Sequence, residues 1–294
     1  VYDVLRRYLE FKGYKVKFVQ NFTDIDDKMI NRANNEGITV KELADRFIAE
    51  YFTDADGLNV KRADIHPKAT ENMDKIISMI ETLIEKGHAY ENNGSVYFRV
   101  HSFNEYGKLF KQSIEDLEAG ARIDVDETKE NKLDFALWKA TKPGEPYWES
   151  PWGQGRPGWH IECSAMVNKY LGTEIDIHGG GVDLVFPHHE NEVAQSEAAC
   201  STNLANYWMH NGHVMVNGVK MSKSLGNFYT AHDLLEKYPA NVIRLSILKT
   251  NYKMPFDFTD VLFKECGTIN DKVQNALKQA NLEIQLKGLK VGKI

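Results

Sequence analysis

The chain has 294 residues, of which 42% are hydrophobic and 27% are charged, and its formal net charge is −6. These fractions are ordinary for a globular protein, and the length accommodates one large α/β unit or two domains. The negative charge argues against a generic basic nucleic-acid-binding protein, although it permits a local basic groove.

The cysteines and the hydropathy pattern indicate a compartment. Cys163, Cys200 and Cys266 are far apart and odd in number, so they predict a reducing compartment and no disulfide framework. No apolar run approaches the ~20 residues that a membrane span needs, and no signal peptide is recognisable. We therefore expect a cytoplasmic protein that does not enter a membrane.

The first residues predict part of a βαβ unit. An amphipathic pattern over residues 2–11 predicts a helix that ends at Gly13, and alternation from Tyr14 to Gln20 predicts a strand. The first strand of such a unit would precede Val1. We therefore expect the chain to be a piece of a longer protein.

Two interpretations of Thr23 remain open. Thr23 is followed by Asp24, Asp26 and Asp27. It could cap a helix that has acidic residues in its first turn. Alternatively, its hydroxyl could contact a substrate.

The middle of the chain predicts an insertion. Apolar residues at helical spacing over 40–52 and 73–84 predict two helices that each have one buried face. Residues 90–100 then predict two short strands around an Asn-Asn-Gly turn, and residues 135–138 predict another strand. We interpret residues 87–150 as an insertion between the halves of a sheet domain, and we expect it to stand apart.

The densest group of candidate site residues follows this insertion. A helix is predicted over 159–171 and contains Cys163, and His188 and Glu192 lie four apart on a later helix. Residues at i and i+4 share one helix face, and Cys163 could reach the same point from its own helix. A thiolate, an imidazole and a carboxylate make a plausible three-ligand zinc set with an open position.

Two features accompany this donor group. A short strand over 174–178 runs into three glycines, and open α/β sheets bind ligands at such strand ends. His189 projects about 100° around the helix from His188. We do not expect His189 to be a ligand of the same ion.

A lysine-containing turn lies downstream. Residues 220–227 form the sequence Lys-Met-Ser-Lys-Ser-Leu-Gly-Asn, after a predicted hairpin over 213–219. Lysines three apart with small hydroxylic neighbours suit a mobile loop that closes over phosphates. Without further context, a solvated basic turn is the ordinary alternative.

Five motifs together resemble one family. They are Thr-Asp-Ile-Asp-Asp-Lys at 23–28, Gly-Trp-His-Ile-Glu-Cys-Ser-Ala-Met at 158–166, His-Gly-Gly-Gly at 178–181, Phe-Pro-His-His-Glu-Asn-Glu at 186–192, and Lys-Met-Ser-Lys-Ser at 220–224. In this order they resemble the cysteinyl-tRNA synthetases, a family of class I aminoacyl-tRNA synthetases. The resemblance covers nearly the whole chain.

The resemblance implies roles for individual residues. Cys163, His188 and Glu192 match three of the four zinc ligands of the family. Lys223 matches its ATP-contacting and catalytic lysine, and Lys220 is a weaker catalytic candidate. The remaining matches are substrate-binding: Trp159 as an aromatic wall of the cysteine pocket, with Thr23, His178 and Asp183 as polar contacts to the substrate or nucleotide.

The resemblance also implies the architecture and what lies outside the chain. It predicts a Rossmann-like, doubly wound parallel sheet, split by a connective-peptide insertion and followed by helices. The predicted parts are the first half of the catalytic domain (1–86), the insertion (87–150), the second half (151–227) and a helical stem-contact region (228–294). The family's His-Ile-Gly-His motif and first zinc cysteine are expected before Val1, and its anticodon-binding domain beyond Ile294.

The implied activity is a cysteine–tRNA ligase. It would use ATP with Mg²⁺ to form cysteinyl-adenylate from L-cysteine, and then acylate tRNA(Cys), as a monomer with one Zn²⁺. Serine and cysteine are near-isosteres that a hydrophobic pocket separates poorly, whereas zinc prefers a thiolate to a hydroxyl. Two alternatives stay open: a paralogous ligase that passes cysteine to an amino sugar, and a non-catalytic zinc- or tRNA-binding relic.

Overall fold

The computed structural model describes residues 1–120, 128–222 and 225–288. The chain forms two compact units. The smaller unit combines Val1–Leu5, Phe52–Arg62 and Asn211–Ile294, and the larger unit combines Arg6–Tyr51 and Ala63–His210. In the described parts of the chain, no helix has the length and apolar character required to cross a membrane.

Ten helices and nine strands are assigned within the described residues. The helices are α1 (Tyr2–Phe11), α2 (Asp27–Glu36), α3 (Val40–Gly57), α4 (Met73–Glu85), α5 (Ile114–Gly120), α6 (Trp159–Tyr170), α7 (Glu190–Cys200), α8 (Ala231–Lys237), α9 (Ala240–Leu248) and α10 (Asp260–Leu286). The strands are β1 (Ala89–Asn92), β2 (Ser95–Phe98), β3 (Phe135–Ala140), β4 (Gly155–Pro157), β5 (Ile175–Gly181), β6 (Ala205–Asn211), β7 (Val214–Val216), β8 (Val219–Lys220) and β9 (Phe256–Phe258).

The start of α2 corrects one prediction. Asp26, and not Thr23, caps this helix, and its carboxylate accepts a hydrogen bond from the Met29 amide at 2.6 Å. Asp26 lies directly before the first helical residue, which is where a side-chain acceptor reaches the free amides of the first turn. The capping interpretation of Thr23 is therefore wrong.

The predicted strand from Tyr14 to Gln20 is only partly present. Val19 forms an isolated parallel bridge with Ile65, and no strand is assigned elsewhere in Tyr14–Gln20, all of which is described. The carboxylate of Asp64 accepts the Phe18 amide at 2.7 Å. A side chain thus replaces the backbone partner that a regular ladder would supply, which shortens the strand.

A four-stranded antiparallel sheet, in the order β1–β2–β3–β4, belongs to the larger unit. Its first hairpin turns at Asn93 and Gly94, whose φ angles are 54° and 79°. Asn and Gly adopt such left-handed conformations most readily. The predicted hairpin, the strand over 135–138 and the helix over 159–171 are confirmed.

This sheet shares its core with the surrounding helices. Phe98 and Trp138 from the sheet, Ile80 and Leu83 from α4, and Ile161 from α6 are fully buried in one hydrophobic cluster. Burial of a side chain of this size contributes about 1.5–3 kcal/mol. Most of residues 87–150 therefore pack as part of the larger unit and do not stand apart; the domain boundaries themselves stay a prediction.

The remaining strands form two small sheets. β5 pairs with β6 in the larger unit, and β5 ends in the three glycines. In the smaller unit, β7 pairs antiparallel with β8 and parallel with β9. The β7–β8 turn at Asn217 and Gly218 has φ angles of 50° and 78°, which confirms the hairpin predicted before the lysine-containing turn.

Candidate metal and substrate site

Three predicted donor residues converge in the larger unit. Cys163 lies in α6, Glu192 lies in the first turn of α7, and His188 lies in a short π-helical turn that leads directly into α7. One donor atom from each side chain lies within 4.8 Å of the other two. The convergence inferred from the i, i+4 spacing is thus present, and the role of these residues as zinc ligands stays a prediction.

The carboxylate of Glu192 is the centre of this donor group. It is fully buried, and its Oε2 atom accepts a hydrogen bond from His178 Nε2 at 2.7 Å. Its Oε1 atom lies 3.0 Å from His188 Nε2, but no described donor is aligned to hydrogen-bond it. A buried carboxylate oxygen without a donor is costly. This oxygen beside nitrogen and sulfur donors therefore fits a bound cation.

The titration behaviour of the donors also fits a cation. Burial, followed by the nearby carboxylate of Glu192, raises the pKa of the Cys163 thiol well above its usual value. Burial raises the pKa of Glu192, but the imidazoles of His178 and His188 lower it by more, so that the net pKa is low. Without a cation, Cys163 is therefore a neutral thiol beside an ionised carboxylate. A bound metal ion would instead convert the thiol to a thiolate, because coordination deprotonates it.

An outer layer of polar contacts holds the donors. His160 Nδ1 lies 2.9 Å from His188 Nδ1, and the Asn21 amide donates to Cys163 Sγ at 3.5 Å. Burial lowers the pKa of His160 to about 3, so that its imidazole is neutral near pH 7. Sequence reasoning missed both residues. His160 had a usable signal, since it precedes Cys163 by three residues and shares its helix face, whereas Asn21 had none.

Aromatic rings cover the donors. Trp159 opens α6, is 45% exposed, and stacks on His188 with ring centroids 4.1 Å apart. His178 stacks on Trp208, with centroids 4.7 Å apart. An aromatic surface that is partly open to solvent can contact a small substrate while it fixes the imidazole behind it.

A second donor set shares Glu192. Donor atoms of His178, His189 and Glu192 lie within 4.8 Å of one another. His189, which the sequence did not predict as a ligand, is 2% exposed, and its Nδ1 atom lies 2.8 Å from His210 Nε2. Burial lowers the pKa of His189 to about 3. The structure thus adds His189, as a buried and neutral imidazole, to the group of side chains around Glu192.

The other substrate candidates lie outside both donor sets. The Thr23 side chain hydrogen-bonds the carboxyl group of Glu162, which is buried, and burial raises the pKa of that carboxyl well above its usual range. Asp183 is exposed in a short turn over Val182–Leu184. Its Oδ1 atom lies 2.5 Å from the point where a Cβ of Gly181 would be, so that a larger residue at position 181 would displace the Asp183 side chain.

The lysine-containing turn belongs to the smaller unit. Lys220 ends β8 and is exposed, and its carbonyl oxygen accepts a hydrogen bond from the Asn227 side chain at 3.3 Å. The Asn227 side chain also accepts the Ser222 amide at 2.9 Å, so it ties together both arms of the turn. Lys223, the stronger of the two lysine candidates, lies outside the described residues.

Sequence relatives support the resemblance. Two curated proteins named cysteine–tRNA ligase, from Carboxydothermus hydrogenoformans and Desulforamulus reducens, are each 58% identical to this chain. The matches cover 97% and 94% of this chain. The chain spans 64% and 57% of the length of these two relatives.

Structural neighbours support the fold. A methionyl-tRNA synthetase from Mycobacterium tuberculosis in complex with methionyl-adenylate matches with a TM-score of 0.73 and 16% identity, over 99% of this chain and 69% of that one. Another structure of that organism's methionyl-tRNA synthetase, bound by methionyl-adenylate, matches with a TM-score of 0.68 and 14% identity, over 90% and 62%. At this identity the likeness shows the fold, and it confirms the predicted class I synthetase architecture.

A family model matches residues 1–267, and its description is "tRNA synthetases class I (C) catalytic domain". This match covers most of the chain and agrees with the sequence relatives and with the fold. The predicted resemblance is thereby confirmed, and the chain belongs to the family of class I (C) tRNA synthetase catalytic domains.

Proposed function

We propose that this chain is the catalytic part of a cysteine–tRNA ligase. In this proposal it activates L-cysteine with ATP to cysteinyl-adenylate and pyrophosphate, and it then transfers the cysteinyl group to the 3′ end of tRNA(Cys). The observation that carries the proposal is the convergence of Cys163, His188 and Glu192, of which His188 and Glu192 are buried. The names of the relatives support the same reaction.

The proposed task of the donor group is to select cysteine. Cys163, His188 and Glu192 would hold a zinc ion, with a further position open to the substrate. Zinc supplies a preference for a thiolate over a hydroxyl, because coordination deprotonates a thiol. Contacts to apolar atoms alone separate such near-isosteres by only a few kcal/mol. The partly buried thiol of Cys163, whose pKa burial raises, and the fully buried carboxylate of Glu192 support this role.

The neighbouring groups would bind the rest of the amino acid. Trp159 offers a half-exposed ring beside His188, where it can exclude water from the substrate side chain. His178, which hydrogen-bonds Glu192, would orient that carboxylate and contact the polar end of cysteine. Thr23 and Asp183 are the remaining proposed polar contacts, to the amino acid or to the nucleotide.

The lysines would act on ATP. Phosphoryl-transfer enzymes depend mostly on positioning and on charge stabilisation. Lys223 would contact the phosphates as charge redistributes, together with Mg²⁺, and Lys220 would make a weaker contribution. Both side chains carry a compact ammonium group, which acts on phosphate as a point charge.

The organisation proposed around this site follows the family resemblance. Residues 1–86 and 151–227 would form the halves of the catalytic domain, 87–150 the insertion, and 228–294 the region that contacts the tRNA stem. The protein would act in the cytoplasm as a monomer. The positions of the domain boundaries and the oligomeric state are likewise proposed from the family resemblance.

Two assays on the intact protein test the proposal. Cysteine-dependent exchange of pyrophosphate into ATP should be observed, with serine a poor substitute. Transfer of labelled cysteine should then occur to tRNA(Cys) and not to an amino sugar. If exchange occurs but cysteine is transferred only to an amino sugar, the proposed acceptor is wrong and the chain is a paralogous ligase. If no exchange occurs, the chain is a zinc- or tRNA-binding protein without this activity.

A further inference from the structure

Two buried residues lie between the proposed ligands. Glu190 and Asn191 are 0% and 2% exposed, yet neither belongs to a donor set. Successive residues of an α-helix are about 100° apart, so Glu190 lies on the side of the helix opposite to His188 and Glu192. We call the helical stretch over 185–200 the ligand helix. Its side opposite to His188 and Glu192 therefore carries the buried carboxylate of Glu190.

Glu190 is held by a loop from the middle of the chain, which we call the clamp loop (residues 106–110). Its carboxylate accepts the Gly107 amide at 2.9 Å and the Phe110 amide at 2.7 Å, and it also accepts the Leu109 amide. Backbone amides that donate to one carboxylate make strong, directional contacts. One side chain of the ligand helix thereby fixes most of the loop.

Two further contacts join the same partners. The Tyr106 hydroxyl donates to Asn191 Oδ1 at 2.6 Å, and both groups are buried. The ring of Phe110 stacks on Phe186, two residues before His188, with centroids 4.8 Å apart. The clamp loop thus holds the chain on both sides of His188, from Phe186 to Asn191.

The loop itself is tightly closed. Gly107 has a φ of +95°, and a Cβ at this position would lie 1.9 Å from the Gln112 carbonyl oxygen. The Gln112 amide in turn donates to the Gly107 carbonyl. A loop closed in this way presents its amides to Glu190 in a fixed arrangement and loses little entropy on contact.

From these contacts we infer that the clamp loop positions the proposed metal ligands. Tyr106, Glu190 and Asn191 are positioning residues, which fix the helical turn that places His188 and Glu192 toward Cys163. This inference rests on the proposed zinc site and extends it to a loop more than 70 residues earlier in the sequence. Removal of one clamp contact should loosen the site while all three donors remain in place.

A matched pair of variants separates positioning from general stability. Tyr106→Phe removes the hydroxyl that reaches Asn191. Tyr97→Phe removes a similar hydroxyl in the same unit, which lies 2.8 Å from Thr128 Oγ1, and both tyrosines are under 10% exposed. The intact protein is loaded with Co²⁺ for its thiolate-to-metal absorption band, or with Zn²⁺, whose release to a chromogenic chelator is timed.

Tyr106→Phe should shift the cobalt band and release zinc on the order of 10-fold faster, the lower end of what outer-shell changes do to metal sites. Tyr97→Phe should retain the wild-type band and release rate, although both variants lose similar amounts of thermal stability. Equal release rates and spectra in the two variants would overturn the inference alone. A wild-type protein without a cobalt–thiolate band would overturn the inference together with the proposed zinc site.

Discussion

The donor group and the lysine-containing turn differ in how strongly other parts of the chain hold their side chains. Glu192 and His188 are 0% and 5% exposed, and hydrogen bonds, stacked rings and the clamp loop hold the region around them. Lys220 is exposed, and the Asn227 side chain binds the backbone of its turn, not the ammonium group. The arrangement of the donor group is therefore fixed by this chain's own contacts, whereas the lysine ammonium groups are the ones that, under the proposed function, would take phosphate as their partner.

This contrast predicts that changes in the donor group affect folding and metal binding together. Glu192→Gln removes the charge that lies against His178 and His188 in a fully buried position. A buried hydrogen bond to a charged group contributes about 1.5–3 kcal/mol, so we expect a loss of up to about 3 kcal/mol in the free energy of unfolding of the metal-free protein. Zinc retention should fall as well. Urea unfolding and metal analysis measure both effects, with exposed Glu81→Gln as the control; unchanged unfolding would contradict the buried-charge account.

Changes in the lysine turn should affect rate alone. Under the proposed function, Lys223→Ala removes a charge that would act on ATP in the transition state, and such a contact contributes on the order of 3 kcal/mol. We therefore expect a roughly 100-fold slower cysteine-dependent pyrophosphate exchange, with cysteine binding and stability nearly unchanged. Lys220→Ala should have a smaller effect. A large loss of cysteine affinity in Lys223→Ala would contradict this assignment, because the lysine-containing turn would then contribute to cysteine binding as well as to rate.

Acid should destabilise the folded protein through the buried histidines around the donor group. Burial lowers the pKa of His160 and of His189 to about 3 in the folded protein, whereas an unfolded histidine titrates near ~6.5. Between these pH values the unfolded state binds more protons, so stability falls as the pH drops from about 6.5 toward 3. His189→Gln should reduce this slope by up to about 1.4 kcal/mol per pH unit. Urea unfolding of metal-free protein across this range measures the slope, and an unchanged slope would refute the buried neutral state of His189.

The smallest predicted effect lies at the exposed edge of the donor group. Trp159→Leu removes the ring that stacks on His188. Aromatic pairs contribute about 0.5–1.5 kcal/mol beyond the area that they bury, so we expect KM for cysteine to rise roughly three- to tenfold while kcat changes little. Pyrophosphate exchange at varied cysteine concentrations measures both constants. A fall in kcat with unchanged KM would place Trp159 in the chemical step instead.

Local spacing predicted the donors, but long-range contacts decided what surrounds them. The i, i+4 relation of His188 and Glu192 lies within one short stretch, the π-helical turn and the first turn of α7, and its spacing is visible in the sequence. The approach of Asn21 to Cys163 joins residues 142 positions apart, and no local pattern encodes that contact.

The errors have the same origin. Thr23 was the cap that one interpretation of the sequence predicted, whereas α2 begins three residues later than that interpretation requires and Asp26 caps it. Residues 87–150 were interpreted as an insertion that stands apart, and only the packed sheet reveals that Phe98 and Trp138 share a core with α4. The clamp on Glu190 was equally invisible, because backbone amides make it and every loop carries amides.

The central claim is that a metal held by Cys163, His188 and Glu192 selects cysteine over serine. The most direct test is kcat/KM for adenylation of cysteine and of serine, in the wild-type protein and in Cys163→Ser, with bound zinc measured in the same samples. A neutral hydroxyl is a poor zinc ligand compared with a thiolate. The account predicts that Cys163→Ser loses zinc and that its preference for cysteine falls in proportion. Full activity with undiminished selectivity in Cys163→Ser would contradict the claim.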